Sequence, residues 1–92
     1  MPKFIIERKI PGIGKLTPEM LIAASQKSNC TLKNIGPDIQ WLESYVAADK
    51  TFCVYLAKDE SLVHRHAELS GFPATKVTEI SKMIDPTTGA AR

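Results

Sequence analysis

The chain has 92 residues, of which 43% are hydrophobic and 24% are charged, and it carries a formal net charge of +2. This length leaves room for one domain, and the proportions are those of ordinary globular proteins. The charges are dispersed without a basic run, which argues against a nucleic-acid partner, and no apolar run approaches the ~18 residues of a membrane helix. MPKFII lacks the features of a secretory signal and the two cysteines form no Cys-x-x-Cys motif, so we expect a cytoplasmic protein with free thiols.

The chain begins with a predicted strand. Residues 3–9, KFIIERK, contain β-branched and aromatic side chains and are followed by the breaker pair Pro11 and Gly12. The next segment, PGIGKLT, is reminiscent of a phosphate-binding loop. It lacks the first glycine of that motif and has Leu16 where the motif has serine or threonine, which favours a simple turn before a helix.

The first predicted helix starts at Thr17, Pro18 and Glu19. These residues offer a hydroxyl cap, a proline at the first helical position and an acid at the positive end of the helix. The helix is predicted to run to about Asn34 and to end before Gly36. Its apolar stripe is narrow and contains small residues, so the helix can lie close to a sheet.

The rest of the chain is predicted to form two strands, a helix and a final strand. IQWLESYVA and TFCVYLA are separated by a short polar connection, which indicates an antiparallel hairpin. KDESLVHRHAELSG follows as a helix, with Asp59 as its cap and Gly71 as a left-handed stop. KVTEISKMI is predicted to be the fourth strand, and DPTTGAAR, residues 85–92, a polar tail.

The order βαββαβ predicts an α+β fold for residues 1–92, a ferredoxin-like sandwich with two helices on one face of a four-stranded antiparallel sheet. Alternation along the strands places these residues on the helix-covered face: Phe4, Ile6, Leu42, Val46, Phe52, Val54 and Leu56. It places these on the open face: Ile5, Glu7, Ile39, Trp41, Glu43, Tyr45, Cys53 and Tyr55. Because the second set is too apolar to face water as one patch, we expect a homodimer formed through the open face.

Two residue types suggest chemistry. His66 lies in the apolar stripe of the second helix, whereas His64 points to water. His66 is therefore either a half-buried histidine that bonds to the backbone, or a metal ligand or acid/base group. Cys53 is either a small buried hydrophobic residue, or a thiolate that reacts or binds a metal. If the two hairpin strands pair so that their apolar residues share a face, Cys53 lies on the open face, away from His66. A register changed by one residue would pair Cys53 with Ser44 on the helix side.

The segments MPKFIIERKIPG, IQWLESYVAADKTFCVYLA, HAELSGFPA and MIDPTT closely resemble a bacterial domain-of-unknown-function family. That family is related to a nickel-binding protein of ferredoxin-like fold that forms dimers, and the resemblance covers nearly the whole chain. The nickel-binding relatives share a strand cysteine and a helix histidine, matched here by Cys53 and His66. They also tend to have histidines where this chain has residues 7–9, and Gly-His-Pro where it has residues 71–73.

We therefore expect a homodimer that binds a small ligand or a divalent transition metal without a defined catalytic activity. Nickel is implied by the resemblance, while cysteine and histidine also suit zinc and copper. The predicted metal ligands are Cys53, His66 and Glu7. The predicted pocket lining is Trp41, Glu43, Tyr45 and Tyr55.

Two alternatives remain open from the sequence. One is an enzyme similar to the dimeric α/β-barrel monooxygenases or isomerases, in which His66 is the acid/base and Tyr45 or Tyr55 orients the substrate. The other is a purely structural or regulatory dimer.

Overall fold

The computed structural model describes residues 1–90 and contains four strands and two α-helices. In chain order they are β1 (Lys3–Lys9), α1 (Pro18–Ile35), β2 (Ile39–Val46), β3 (Lys50–Ala57), α2 (Glu60–Ser70) and β4 (Lys76–Ile80). Short 3-10 turns lie at residues 13–15 and 86–89. Within residues 1–90, no helix has the length and apolar character needed to cross a membrane.

The strands form one antiparallel sheet in the order β2-β3-β1-β4. With the chain order βαββαβ, this topology is that of a ferredoxin-like sandwich. Both helices contribute side chains to the core on one side of the sheet. The predicted four-stranded antiparallel sheet with two helices is therefore confirmed.

Both helices begin and end close to where the sequence predicts. The Thr17 side chain accepts a hydrogen bond from the Met20 backbone N–H at 3.2 Å, which satisfies one of the free donors at the start of α1. Asp59 occupies the N-cap position of α2. Gly71 ends that helix with φ of 79°, a left-handed conformation that glycine adopts without steric cost.

β4 is shorter than predicted. The expected strand extended to Ile84, whereas pairing stops at Ile80, which lies opposite Lys3. Lys3 is the first residue of β1, so the later residues have no partner strand. Within the predicted polar tail, residues 86–89 form a 3-10 turn capped by Asp85, and residues 91–92 lie outside the described part of the chain.

The predicted distribution of residues between the two sheet faces is correct for β1 and wrong for all of β3. Phe4 pairs with Tyr55 and Ile6 with Cys53, which puts Tyr55 and Cys53 on the helix side. The open side of β3 instead carries Phe52, Val54 and Leu56. Apolar alternation could not assign these faces because both sets are largely apolar.

In β2 the prediction fails for the first half of the strand and holds for the second. A register irregularity lies between Trp41 and Glu43, at Leu42. Such a bulge adds one residue and reverses the alternation beyond it. As a result Ile39 and Trp41 pack on the helix side, contrary to the prediction, and Ser44 pairs with Cys53 on that same side.

The predicted turn PGIGKLT contacts the β2–β3 connection. The Gly14 backbone N–H donates to the Ala48 carbonyl at 3.0 Å, and the Gly12 N–H donates to Asp49 Oδ1 at 2.9 Å. A Cβ atom at Gly14 would lie 2.7 Å from the Ala47 carbonyl oxygen, closer than real Cβ contacts allow. The loop therefore holds the hairpin turn against the end of β1.

The core lies between the sheet and the helices. Its buried hydrophobic members are Phe4, Ile6, Ile39, Cys53, Tyr55, Ala57 and Val63.

Candidate ligand-binding site

A cavity of about 100 Å³ lies between α1 and the helix-facing side of the sheet. Its walls are formed by Arg8, Ile10, Ile13, Leu21, Ala24, Ser25, Ser28, Trp41, Ser44, Val46, Thr51, Cys53, Tyr55 and Phe72. Arg8 and Tyr55 are buried, whereas Val46 is 46% exposed, so the cavity has a buried end and an end open to solvent. The volume is several times that of one water site and accommodates a small organic group.

Among the described residues, Arg8 is the one member of the cavity wall with a formal charge. It follows Phe4 and Ile6 at intervals of two along β1, so its side chain points to the helix side of the sheet. It is 3% exposed. Its Nη1 donates to the backbone carbonyls of Pro73 at 2.8 Å and Phe72 at 3.5 Å, and its Nη2 donates to the Tyr55 hydroxyl at 3.3 Å.

Two aromatic rings flank the guanidinium. The Arg8 guanidinium carbon lies 5.9 Å from the Tyr55 ring centroid and 5.9 Å from the Phe72 ring centroid. Both distances are at the outer limit of cation–π attraction. Together with the two carbonyls, the rings hold the guanidinium in one place at the buried end of the cavity.

Tyr55 connects Arg8 to His66. The Tyr55 and His66 ring centroids are 5.3 Å apart, and His66 Nε2 lies 3.1 Å from Ser28 Oγ on α1. Burial raises the pKa of Tyr55, an effect that the nearby Arg8 charge partly opposes. Burial and, second, the Arg8 charge lower the pKa of His66 to about 4. At neutral pH the phenol is protonated and the imidazole is neutral, which leaves Arg8 as the charged group of this cluster.

The structure brings together some of the residues that the sequence nominates. Cys53, Trp41 and Tyr55 line the cavity, and His66 contacts Tyr55 just behind the wall. Cys53 Sγ lies 3.6 Å from Thr51 Oγ1. The arrangement of Cys53 and His66 on one side of the sheet is the one that the alternative hairpin register predicts.

The other nominated residues lie on the open face. Glu7 pairs with Phe52 in the β1–β3 register, and its carboxylate is 3.9 Å from Lys50 Nζ. Glu43 accepts a hydrogen bond from the Tyr45 hydroxyl, and both side chains are exposed. Glu7, Glu43 and Tyr45 therefore do not line the cavity, which corrects the expectation that one site unites them with Cys53 or Trp41.

Sequence reasoning missed Arg8, Ser28 and Phe72. A signal for Arg8 was present, because the alternation that assigns Phe4 and Ile6 to the core side assigns Arg8 to the same side. A charged residue in an inward position of a strand is unusual and points to a polar site. The helical periodicity places Ser28 on the side of α1 that faces the sheet, but its contact with His66 and the position of Phe72 in the cavity wall arise only through the tertiary fold.

Comparison with known proteins places the chain in a family. The sequence model of the family described as nickel responsive protein SCO4226-like matches residues 4–80. The chain belongs to this SCO4226-like family. No curated protein matches the chain.

A solved member of comparable fold supports the architecture of this SCO4226-like protein. The crystal structure of SCO4226 from Streptomyces coelicolor A3(2) superposes with a TM-score of 0.74 and covers 89% of this chain and 99% of that chain. The two sequences are 18% identical, so this likeness concerns the fold.

The side chains of residues 1–90 do not fit a metal ion held by a single subunit. Within residues 1–90, no group of three or more histidine, cysteine, aspartate or glutamate side chains could hold an ion. Cys53 and His66 lie on the helix side of the sheet, and Glu7 lies on the other side. Two protein ligands are too few for stable binding of a divalent ion, so a metal would need ligands from elsewhere.

Proposed function

We propose that this SCO4226-like protein binds a small molecule in the cavity between α1 and the sheet. The observation that carries the proposal is the composition of that cavity. Its wall is largely apolar, and its buried part contains Arg8, which donates to the Tyr55 hydroxyl, together with Ser28. Apolar walls with a few fixed polar groups are typical of small-molecule sites.

We further propose a homodimer formed through the open sheet face. The central apolar side chains of this face are only partly buried in one chain: Ile5, Phe52, Val54, Leu56 and Ile80. They lie on neighbouring strands and form one continuous patch, and such patches on small proteins are commonly covered by association. A twofold partner would bury the same patch on both chains.

We place the dimer in the cytoplasm, where the free thiols Cys30 and Cys53 would stay reduced.

A transition-metal site is a second candidate, favoured by the family description and by one buried atom. His66 Nδ1 is buried without a hydrogen-bond partner within residues 1–90, and its imidazole is neutral, the form that binds metals. With Cys53, it would provide two ligands for nickel, zinc or copper. The third ligand would have to come from outside this chain, because Glu7 lies across the sheet.

The enzyme alternative has less support. A general acid at neutral pH needs a pKa near the working pH and access to the substrate. The pKa of His66 lies at about 4, and the side chain is 1% exposed and stands behind the cavity wall. The binding protein is the function that this geometry favours.

Purification without a histidine tag, followed by native mass spectrometry and elemental analysis, tests these proposals. We expect a dimer that retains a small organic molecule or gains one from a ligand library, with substoichiometric metal. Stoichiometric nickel that is lost in Cys53→Ser and His66→Ala, but kept in His64→Ala, would replace the small-molecule proposal with the metal site.

A matched pair of variants ties the ligand to the cavity. Ala24 lines the cavity, and the preceding Ala23 is exposed. Ala24→Leu should fill the cavity and abolish retention of the molecule, whereas Ala23→Leu should leave it unchanged. Equal retention by both variants would show that the molecule binds elsewhere and would contradict the proposed function.

A further inference from the structure

Arg8 is a buried cation that has no carboxylate partner among residues 1–90. Its side chain is 3% exposed, yet the ion pairs within residues 1–90 are Lys50–Glu7 and His64–Glu60, and neither includes it. Burying a charge without a counter-ion is costly, so buried arginines in proteins are normally paired with an acid. Arg8 therefore presents a buried positive charge that no ion pair within residues 1–90 compensates.

The groups around Arg8 orient it but do not neutralise it. Its hydrogen-bond acceptors are the carbonyls of Phe72 and Pro73 and the Tyr55 hydroxyl, all of them uncharged. The pKa of Tyr55 is raised, so the phenol stays protonated and carries no compensating charge. A guanidinium also has more N–H groups than these three bonds use, which leaves donors for another acceptor.

The cavity wall formed by residues 1–90 contains no acidic side chain. Apart from Arg8, its polar residues are neutral: Ser25, Ser28, Ser44, Thr51, Cys53 and Tyr55. No wall residue within the described part of the chain carries a negative charge that would repel an anion, and the buried setting strengthens attraction to the guanidinium relative to water. The wall also contains the apolar side chains of Ile13, Leu21 and Trp41.

We infer that the cavity binds a small organic monocarboxylate, with its carboxylate against Arg8 and Tyr55 and its apolar body against Ile13, Leu21 and Trp41. This inference rests on the proposed small-molecule function and names the chemical class of the ligand. The planar guanidinium fork matches a carboxylate, and the Tyr55 oxygen accepts from Arg8 while its own hydrogen remains available to the anion. A single cation in a mainly apolar cavity suits one negative charge better than a phosphate dianion.

The sole tryptophan provides the readout. Trp41 lines the cavity, so its fluorescence should change saturably when hexanoate, used as the probe, is titrated into the intact protein. Hexanamide has nearly the same shape without the charge and should bind more weakly by a factor of about 10–100. Inorganic phosphate should displace hexanoate only at much higher concentration, because it has no apolar body.

Three results of these titrations would contradict all or part of the inference. Equal affinity for hexanoate and hexanamide would overturn the carboxylate inference and leave the small-molecule function standing. If phosphate bound as tightly as hexanoate, the inferred contact between the cavity and an apolar ligand body would be wrong. No saturable response to any straight-chain carboxylate from acetate to octanoate would also overturn the inference. The proposed function is then judged separately, by the retained molecule and the Ala24→Leu and Ala23→Leu comparison.

Substitutions at Arg8 and at the neighbouring Lys9 test whether Arg8 causes the preference for hexanoate over hexanamide. Arg8→Met should remove the preference for hexanoate over hexanamide, whereas Lys9→Met, at an exposed position of the same strand, should keep it. If Arg8→Met does not fold, Arg8→Lys retains the charge without the planar fork and should weaken hexanoate binding by about tenfold. An unchanged preference for hexanoate over hexanamide in folded Arg8→Met, or an unchanged hexanoate affinity in Arg8→Lys, would contradict the inference.

Discussion

Ser28 Oγ on α1 lies 3.1 Å from His66 Nε2 on α2, which makes these two side chains a polar link between the helices inside the core. His66 is 1% exposed, and its Nδ1 has no hydrogen-bond partner within residues 1–90. The surroundings of His66 therefore favour the neutral imidazole over the charged imidazolium.

This relationship predicts a stability that depends on pH. The pKa of His66 is lowered from 6.5 to about 4 in the folded protein, first by burial and second by Arg8. The unfolded chain takes up its proton near pH 6.5, while the folded protein does so only near pH 4. Protons in this interval therefore favour unfolding, so stability is lost as the pH falls from 6.5 to 4, by about 3 kcal/mol.

Chemical denaturation at a series of pH values measures this slope. His66→Gln should reduce the loss of stability between pH 6.5 and 4, whatever its effect at neutral pH. His64→Gln, at an exposed position of the same helix, should retain the slope of the parent protein. The same slope in His66→Gln would mean that other groups cause the acid sensitivity.

The proposed dimer predicts that a charge in the open face will separate the subunits. Val54 lies on β3, next to Ile5 on β1, near the middle of the exposed apolar patch. Val54→Glu should produce a monomer of about the 10.1 kDa chain mass in light scattering at micromolar concentration, because an unpaired charge in an interface costs several kcal/mol. Leu69→Glu, at an exposed position of α2, should remain dimeric.

Because Trp41 lies on the helix side of the sheet, a charged residue at this position should affect the stability of the fold rather than the dimer. The sequence-based faces would make Trp41→Glu a dimer-breaking variant. Trp41 instead packs against the core from the helix side, and its Nε1 donates to Ser44 Oγ at 2.9 Å. We expect Trp41→Glu to lower the melting temperature, and a parent-like melting curve would contradict this placement.

The contact between the first loop and the hairpin turn predicts a costly glycine substitution. Gly14→Ala places a Cβ atom 2.7 Å from the Ala47 carbonyl oxygen and should destabilise the protein by about 1–3 kcal/mol in urea unfolding. Gly89→Ala is the matched control, since a Cβ there has no neighbour within 4 Å. Similar unfolding midpoints for the two variants would contradict the contact.

The two cysteines should differ in reactivity and should not pair with each other. Cys30 is exposed and Cys53 is buried. A thiol reagent should label Cys30 much faster than Cys53 in the native protein, and the two at similar rates after unfolding. A mass two units lower under non-reducing conditions, without intermolecular products, would indicate the disulfide that we do not expect.

The sequence alone determined the order and approximate bounds of the elements. Thr17 with Pro18 marks the start of α1, Gly71 marks the end of α2, and β-branched runs mark the strands, because these signals depend on local backbone geometry. The same local pattern also places Phe4, Ile6 and Arg8 on one face of β1.

The tertiary structure decided which side of the sheet carries the site. Both faces of β3 are rich in apolar residues, so hydrophobicity could not choose between Cys53 with Tyr55 and Phe52 with Val54. The irregularity at Leu42 then reverses the alternation within β2, and a bulge has no strong signature in sequence. The contacts of Arg8 with Phe72 and Pro73, and of Ser28 with His66, join residues far apart in the chain. Only the packed fold could bring them to one cavity.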